Sequence, residues 1–176
     1  MGYSLENAFA VKFELERQII KASANLENEW FFSDGAFTAE LSLESNPNTW
    51  LYENFVVIEN KEIVAYFEGK WTRPVDIISG FRLILFNKKK AVVATRAFFE
   101  YLNYLFEFRG CNAFNWIVAE KNVHAYELYE HFIKKYFGHR VGKRHYVQKS
   151  YSGKVSDGIL YEITKEEYFG WKNSII

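Results

Sequence analysis

The apolar positions of this chain change period along its length, and each change marks an element. Phe55-Val56-Val57-Ile58 and Ile63-Val64-Ala65-Tyr66-Phe67 are β-rich runs separated by Glu59-Asn60-Lys61-Glu62, which predicts a hairpin. A turn at Thr72-Arg73-Pro74 leads into Ile77 to Phe86, where Phe81-Arg82-Leu83-Ile84-Leu85-Phe86 is apolar enough for a central strand. From Lys90 to Phe108 the period becomes helical. Ala94, Phe98, Leu102, Leu105 and Phe108 form an apolar stripe, and Arg96, Glu100, Asn103 and Glu107 a polar one. Gly110 is placed to end that helix.

Ala113 to Ala119 is a short apolar run between two helical stretches. It reads as a buried strand, parallel to the one before the helix and joined to it by a right-handed crossover. Asn122 is a good cap for a second helix, Val123 to Tyr136, with Ala125, Leu128, Tyr129, Phe132 and Tyr136 facing inward. Two last strands, around Val141 to Ser150 and Val155 to Ile163, are joined by Tyr151-Ser152-Gly153-Lys154. Thr164 and Glu167 then have the spacing of a capping box. Near the N-terminus two templates compete. Phe9, Val11, Phe13 and Leu15 alternate as a strand would, while Ala8, Val11, Leu15, Ile19 and Ala22 make a helical stripe. We favour a short strand at Phe9 to Leu15, followed by helical segments to about Glu44 and a loop at Asn46-Pro47-Asn48. The expected fold class is α/β (α+β): one domain over 1–176 with a mixed sheet of about six to seven strands. Its N-terminal half is antiparallel, a parallel βαβ unit follows, and helices flank both.

Composition changes this picture little. The chain has 176 residues, 49% of them hydrophobic and 25% charged, which is a globular balance far from that of a disordered segment. One cysteine, Cys111, excludes an internal disulfide, and no Cys/His cluster has zinc-ligand spacing. Met1 to Glu6 lack the basic start of a secretory leader and no stretch of about 18 apolar residues occurs, so we expect a cytosolic protein without a membrane span. Charge is unevenly placed. Residues 1–86 hold 7 Lys/Arg against 13 Asp/Glu, and residues 87–176 hold 15 against 9, so an anion is better placed in the second half. Between Glu130 and Asp157 there is no acid, while Lys134, Lys135, Arg140, Lys143, Arg144, Lys149 and Lys154 accumulate. Such a stretch is compatible with an acidic protein or ribosomal partner, though a solvated hairpin is the commoner explanation. A homodimer is also compatible with the sequence.

The order of elements, together with Asn122-Val123-His124-Ala125-Tyr126-Glu127-Leu128-Tyr129-Glu130, resembles the GNAT superfamily of acyl-CoA-dependent N-acetyltransferases. The likeness is to the branch of ribosomal-protein N-terminal and polyamine-type acetyltransferases, in which Asn, Ala and Leu-Tyr-Glu recur at this spacing. It extends through Val141-Gly142, Ser152-Gly153-Lys154, Asp157 and Leu160-Tyr161-Glu162-Ile163, and covers about Asn54 to Tyr168. The resemblance implies that acetyl-CoA lies between the strand ending at Phe86 and the strand Ala113 to Ala119, where the family's two strands splay apart. It implies further that Tyr129 is the general acid that protonates the departing thiolate, that a backbone N–H near Leu85 polarises the thioester carbonyl, and that Asn122 touches the pantetheine arm. By spacing alone Tyr129 is better read as a core aromatic, and Asn122 as readily as a helix cap.

In the family, the pyrophosphate loop runs Arg or Gln, two residues, Gly, one residue, Gly or Ala. Those positions fall here on Lys89, Val92 and Ala94. The cofactor loop implied by the resemblance therefore comprises Lys88, Lys89, Lys90, Ala91, Val92, Val93, Ala94 and Thr95. Val92 in place of the glycine hinders close approach of backbone to phosphate, and the three lysines offer compensating charge. Glu68, Asp76, Glu120, His124 and His145 are candidate general bases that nothing in the sequence separates. Two functions remain open: transfer of an acetyl group to a primary amine of a protein or small molecule, or a pseudoenzyme of this fold that has lost CoA binding and serves as a binding or assembly module.

Overall fold

The computed structural model describes residues 2–23, 51–150 and 152–175. In chain order these form β1 (Tyr3–Asn7), α1 (Lys12–Ser23), β2 (Tyr52–Glu59), β3 (Glu62–Thr72), β4 (Ile77–Leu85), α2 (Ala91–Asn103), β5 (Ala113–Ala119), α3 (Val123–Lys135), β6 (His139–Lys149), β7 (Val155–Thr164) and α4 (Lys165–Ser174). Among the described residues the strands make one seven-stranded sheet in the order β1-β2-β3-β4-β5-β7-β6. Its neighbours are antiparallel except β4 and β5, which are parallel. No described helix is long and apolar enough to cross a membrane.

The hairpin at Glu59 to Glu62 turns through Asn60 and Lys61, both at positive φ, the mirror-image turn that matches the twist of paired strands. Strand alternation sends Val57, Ala65 and Phe67 to one face, where α2, α3 and α4 pack, and Val56, Tyr66 and Ile84 to the other, under α1. The first face holds a connected set of aromatic rings in which Phe81, Phe98 and Phe114 approach within 4.7–6.0 Å centroid to centroid. The expected capping box at Thr164 and Glu167 starts α4.

Three local expectations are corrected. The first strand lies at Tyr3–Asn7, and Phe9 to Leu15 is helical instead. Asn7 accepts the Phe9 N–H and starts a 3-10 turn, so the helical stripe prevails: Ala8, Leu15 and Ile19 are buried, while Phe9 and Phe13, which set the apparent alternation, are exposed. Phe108 leaves the apolar stripe because Tyr104–Phe108 widens into a π-helical turn, which rotates the ring into solvent. Leu128 also points outward, and Tyr126, Tyr129 and Phe132 carry the contact of α3 with the core. The helical segments expected beyond Ser23 and the loop at Asn46 to Asn48 lie outside the described residues.

Candidate active site

The site begins with a defect in β4. Between the pairs Glu68↔Arg82 and Lys70↔Ser79, β3 uses one residue, Gly69, and β4 uses two, Gly80 and Phe81. The extra residue is a β-bulge, and Gly80 takes φ +64, which an L side chain adopts only at a cost of roughly 1–2 kcal/mol. A bulge bends its strand and sharpens the twist. The parallel ladder between β4 and β5 consists only of Ile77↔Ala113 and Ile78↔Phe114 and stops just before it. From there to their C-terminal ends the two strands part, as the resemblance implies.

Which groups face the gap follows from strand geometry. Phe86 N–H bonds to Val64 O at 3.0 Å, toward β3. Successive amides of a strand point to opposite edges, so Leu85 N–H points the other way, toward β5. At the gap's far side Tyr129 packs against Trp116 of β5 (5.1 Å) and Tyr161 of β7 (6.0 Å). Burial pushes the Tyr129 phenol well above its usual range, so it stays protonated at neutral pH. Among the described residues no hydrogen bond to the Tyr129 hydroxyl is formed. Among the described residues Trp116 Nε1 is a buried donor without an acceptor. An orphaned buried donor costs about 1–3 kcal/mol, so the Trp116 indole beside Tyr129 fits a ligand that brings an acceptor atom. Trp116 was not singled out in the sequence; an indole inside a short buried strand was the available signal.

The residues of the expected cofactor loop lie at the start of α2, where the turn is partly closed on itself. Asn87 Oδ1 accepts Lys89 N–H at 3.1 Å, Asn87 O accepts Lys90 N–H at 2.9 Å, and Lys88 to Lys90 form a 3-10 turn. Lys90 Nζ pairs with Glu59 at 2.5 Å. Lys88, Lys89 and Ala91 are exposed, Val93 is half-buried, Ala94 is buried, and the Thr95 hydroxyl bonds back to Ala91 O. Val92 is 66% exposed at the first turn, where a phosphate would approach. Asn122 caps α3, its side chain accepting Ala125 N–H at 3.3 Å.

The candidate bases separate in space. Asp76, ion-paired with Arg73, precedes β4 at the end away from the gap. Glu120 is paired with Lys143, and His145 with Asp157. His124 is exposed on the first turn of α3. Glu68 is 8% exposed, on β3 opposite Arg82. In the basic stretch, Lys143 meets Asp157 and Glu120 across strands, so a run without acids in sequence is partly neutralised in space.

Solved structures that share this arrangement of strands and helices include acetyltransferases. The chain carries the fold of those enzymes. A chimera of the Vibrio cholerae spermidine N-acetyltransferase SpeG with hSSAT superposes with a TM-score of 0.72 at 17% identity, covering 96% of this chain and 99% of that one. A point mutant of Vibrio cholerae SpeG gives 0.70 at 16% identity, covering 95% and 96%. A protein from T. thermophilus, provisionally described as an acetyltransferase, gives 0.67 at 19%, covering 99% and 92%. At these identities the likeness is one of fold. No family model and no curated protein sequence matches the chain.

Proposed function

We propose that this protein is an acetyl-CoA-dependent N-acetyltransferase acting on a primary amine. The observation that carries the reading is the parting of β4 from β5 after Gly80, with Leu85 N–H aimed into the gap. Acetyl-CoA supplies an acetyl group activated as a thioester. Leu85 N–H donates to the carbonyl oxygen on which negative charge grows during attack. The neutral amine nitrogen bonds to the carbonyl carbon as the C–S bond breaks. Tyr129, kept protonated by burial, gives its proton to the sulfur, and the proton the nitrogen loses passes through water and restores the phenol. Lys88 and Lys89 lie on the approach to the N-terminus of α2 and offset phosphate charge there. Asn122 holds the start of α3 beside the entrance.

The test is turnover by Tyr129→Phe with acetyl-CoA and an amine panel, read as thiol release. A fall of about ten- to a thousandfold, with melting temperature and acetyl-CoA affinity kept, is the expected result. Unchanged turnover in the folded variant removes Tyr129 as the general acid.

A second reading, a binding module that no longer takes CoA, is favoured by the loop: Asn87 occupies the Lys89 N–H, Lys90 is committed to Glu59, and Val92 projects from the first turn. Titration of acetyl-CoA into wild type and Val92→Gly at two salt concentrations separates the two. For the enzyme, affinity is weak, falls with salt, and rises in Val92→Gly, although glycine costs the helix about 1 kcal/mol. For the module, neither protein binds.

A further inference from the structure

Among the described residues β6 is an outer strand of the sheet, and its pairing with β7 is irregular in two places. Between the pairs Arg140↔Tyr161 and Gly142↔Leu160 it carries one extra residue, Val141. Between Arg144↔Gly158 and Gln148↔Ser156 it spends three residues, 145–147, where β7 spends one, Asp157. Irregularities of this kind give up ladder hydrogen bonds and re-aim side chains. Both turn an apolar residue into solvent: Val141 is 50% exposed and Tyr146 81%.

Asp157 holds the second irregularity in place. Its carboxylate accepts the Tyr146 N–H at 3.1 Å and lies 3.0 Å from Lys143 Nζ and 3.1 Å from His145 Nδ1. Tyr146 takes φ 54 there, a left-handed backbone that a bulky residue rarely adopts, so the contacts of Asp157 keep its ring outward against local preference. Arg140 and Arg144 flank the two apolar residues. Both arginines are exposed and make no ion pair among the described residues, whereas Lys143 is engaged by Glu120 and Asp157. Lys134 and Lys135, exposed at the end of α3, extend the positive field.

Arginine and tyrosine are the side chains that most often carry binding energy at protein interfaces, since each joins a large, stiff surface to a directional hydrogen-bonding end. Solvation accounts for the arginines. It does not account for a tyrosine held outward in a left-handed backbone. Charge and edge geometry then discriminate among occupants. A second copy pairing along β6 would set these arginines against one another, and like charges facing across strands are destabilising. A strand added from another protein would meet an edge interrupted twice within 11 residues. An acidic protein surface meets neither obstacle, because its carboxylates reach the arginines while its apolar groups cover Val141 and Tyr146.

We propose that Arg140, Val141, Arg144 and Tyr146 on the outer edge of β6 form a docking surface for an acidic protein partner, contacted through side chains and not by strand addition. The assignment does not depend on acetyl transfer.

The probe is a fluorescein-labelled peptide of Glu, Ala and Leu that forms an acidic amphipathic helix, with a Lys-for-Glu counterpart as control. Each is titrated into the full chain by fluorescence anisotropy at two salt concentrations. Wild type should bind the acidic peptide, less tightly as salt rises, and leave the basic one free. The double variant Arg140→Glu, Arg144→Glu should lose the acidic peptide, and Tyr146→Ala should weaken it about tenfold at both salt concentrations, the range for an aromatic anchor at an interface. Melting temperatures should stay near that of wild type, because these side chains are exposed. The split is the signature: the arginine effect is screened by salt and the tyrosine effect is not. The assignment is overturned if the acidic peptide does not bind or if the variants bind it as wild type does. It is equally overturned if single-stranded polyuridylate displaces the peptide, which would make this a phosphate-binding surface, or if sedimentation shows a dimer that the double variant dissolves. Should the double variant not fold, Tyr146→Ala decides the question.

Discussion

The two ends of the β4–β5 pair are made of similar residues and behave in opposite ways. At the N-terminal end, Ile78 and Phe114 pair in register, and Phe114 is fully buried against Phe81 at 4.7 Å, with Phe98 and Tyr101 closing over them. Just beyond, Asn112 N–H bonds to Asp76 O at 2.8 Å and its side-chain amide to Val75 O at 3.0 Å. At the C-terminal end the ladder is gone, Leu85 N–H faces across the gap, and Trp116 Nε1 has no acceptor among the described residues. Hydrophobicity does not distinguish the two ends. One extra residue in β4 does, by ending a ladder that the side chains alone would continue. Stability is concentrated at the closed end, and the unmet hydrogen-bonding capacity at the open one.

The strongest way to break this contrast is Phe114→Ala. Removing a fully buried ring from the closed end should cost about 3–5 kcal/mol in chemical denaturation, with the cavity left among Phe81, Phe98 and Tyr101 included. Tyr129→Phe at the open end should leave the same unfolding curve almost unmoved. Equal losses from the two variants would show that the ends do not divide stability and function.

Gly80→Ala tests the cause of the contrast. A Cβ there meets nothing within 4 Å, so the penalty is conformational alone, roughly 1–2 kcal/mol at φ +64. If the bulge survives, stability falls by that amount and acetyl-CoA affinity is kept. If β4 instead straightens and pairs further with β5, stability falls less and acetyl-CoA binding is lost with it. A variant that lost neither stability nor affinity would mean the bulge does not depend on glycine.

The smallest effect belongs to the β6–β7 hairpin beside the open end. Lys143, then the Tyr146 N–H, then His145, bond to Asp157 and hold its carboxyl down at about 2, below the ordinary 3.8. Because the folded value is the lower one, the charged carboxylate stabilises the fold above about pH 4, and that contribution is lost as pH falls toward 2. Asp157→Asn should therefore melt slightly lower than wild type at pH 7, with the difference closing between pH 4 and 2. A difference that persists below pH 2 would have to come from packing and not from charge.

Much of the frame was legible in the sequence because local patterns and tertiary packing agree there. The hairpin through Asn60 and Lys61, the helix beginning near Lys90, the cap at Asn122 and the box at Thr164 each answer to short-range chemistry that no distant contact overrides. Where two local patterns coincided, at Phe9 to Leu15, the outcome turned on a cap at Asn7 and on which side chains found cover. Arg82 within the run Phe81 to Phe86 was a visible anomaly whose meaning stayed hidden, since its partner Glu68 lies on another strand.

The sequence by itself determined the periodicities, and with them the order of strands and helices from Asn54 onward, the crossover that makes β4 and β5 parallel, and the valine at the head of α2. These follow from spacings of two and of 3.6 residues and from the handedness of the chain. Only the tertiary structure decided where the parallel ladder ends, that Asn87 and Glu59 engage the loop's amides and its last lysine, and that Glu68, Tyr66 and Arg82 meet on one face. The reason is physical: register, bulges and cross-strand pairs depend on residues distant in sequence, and a one-residue shift sends every side chain to the other face.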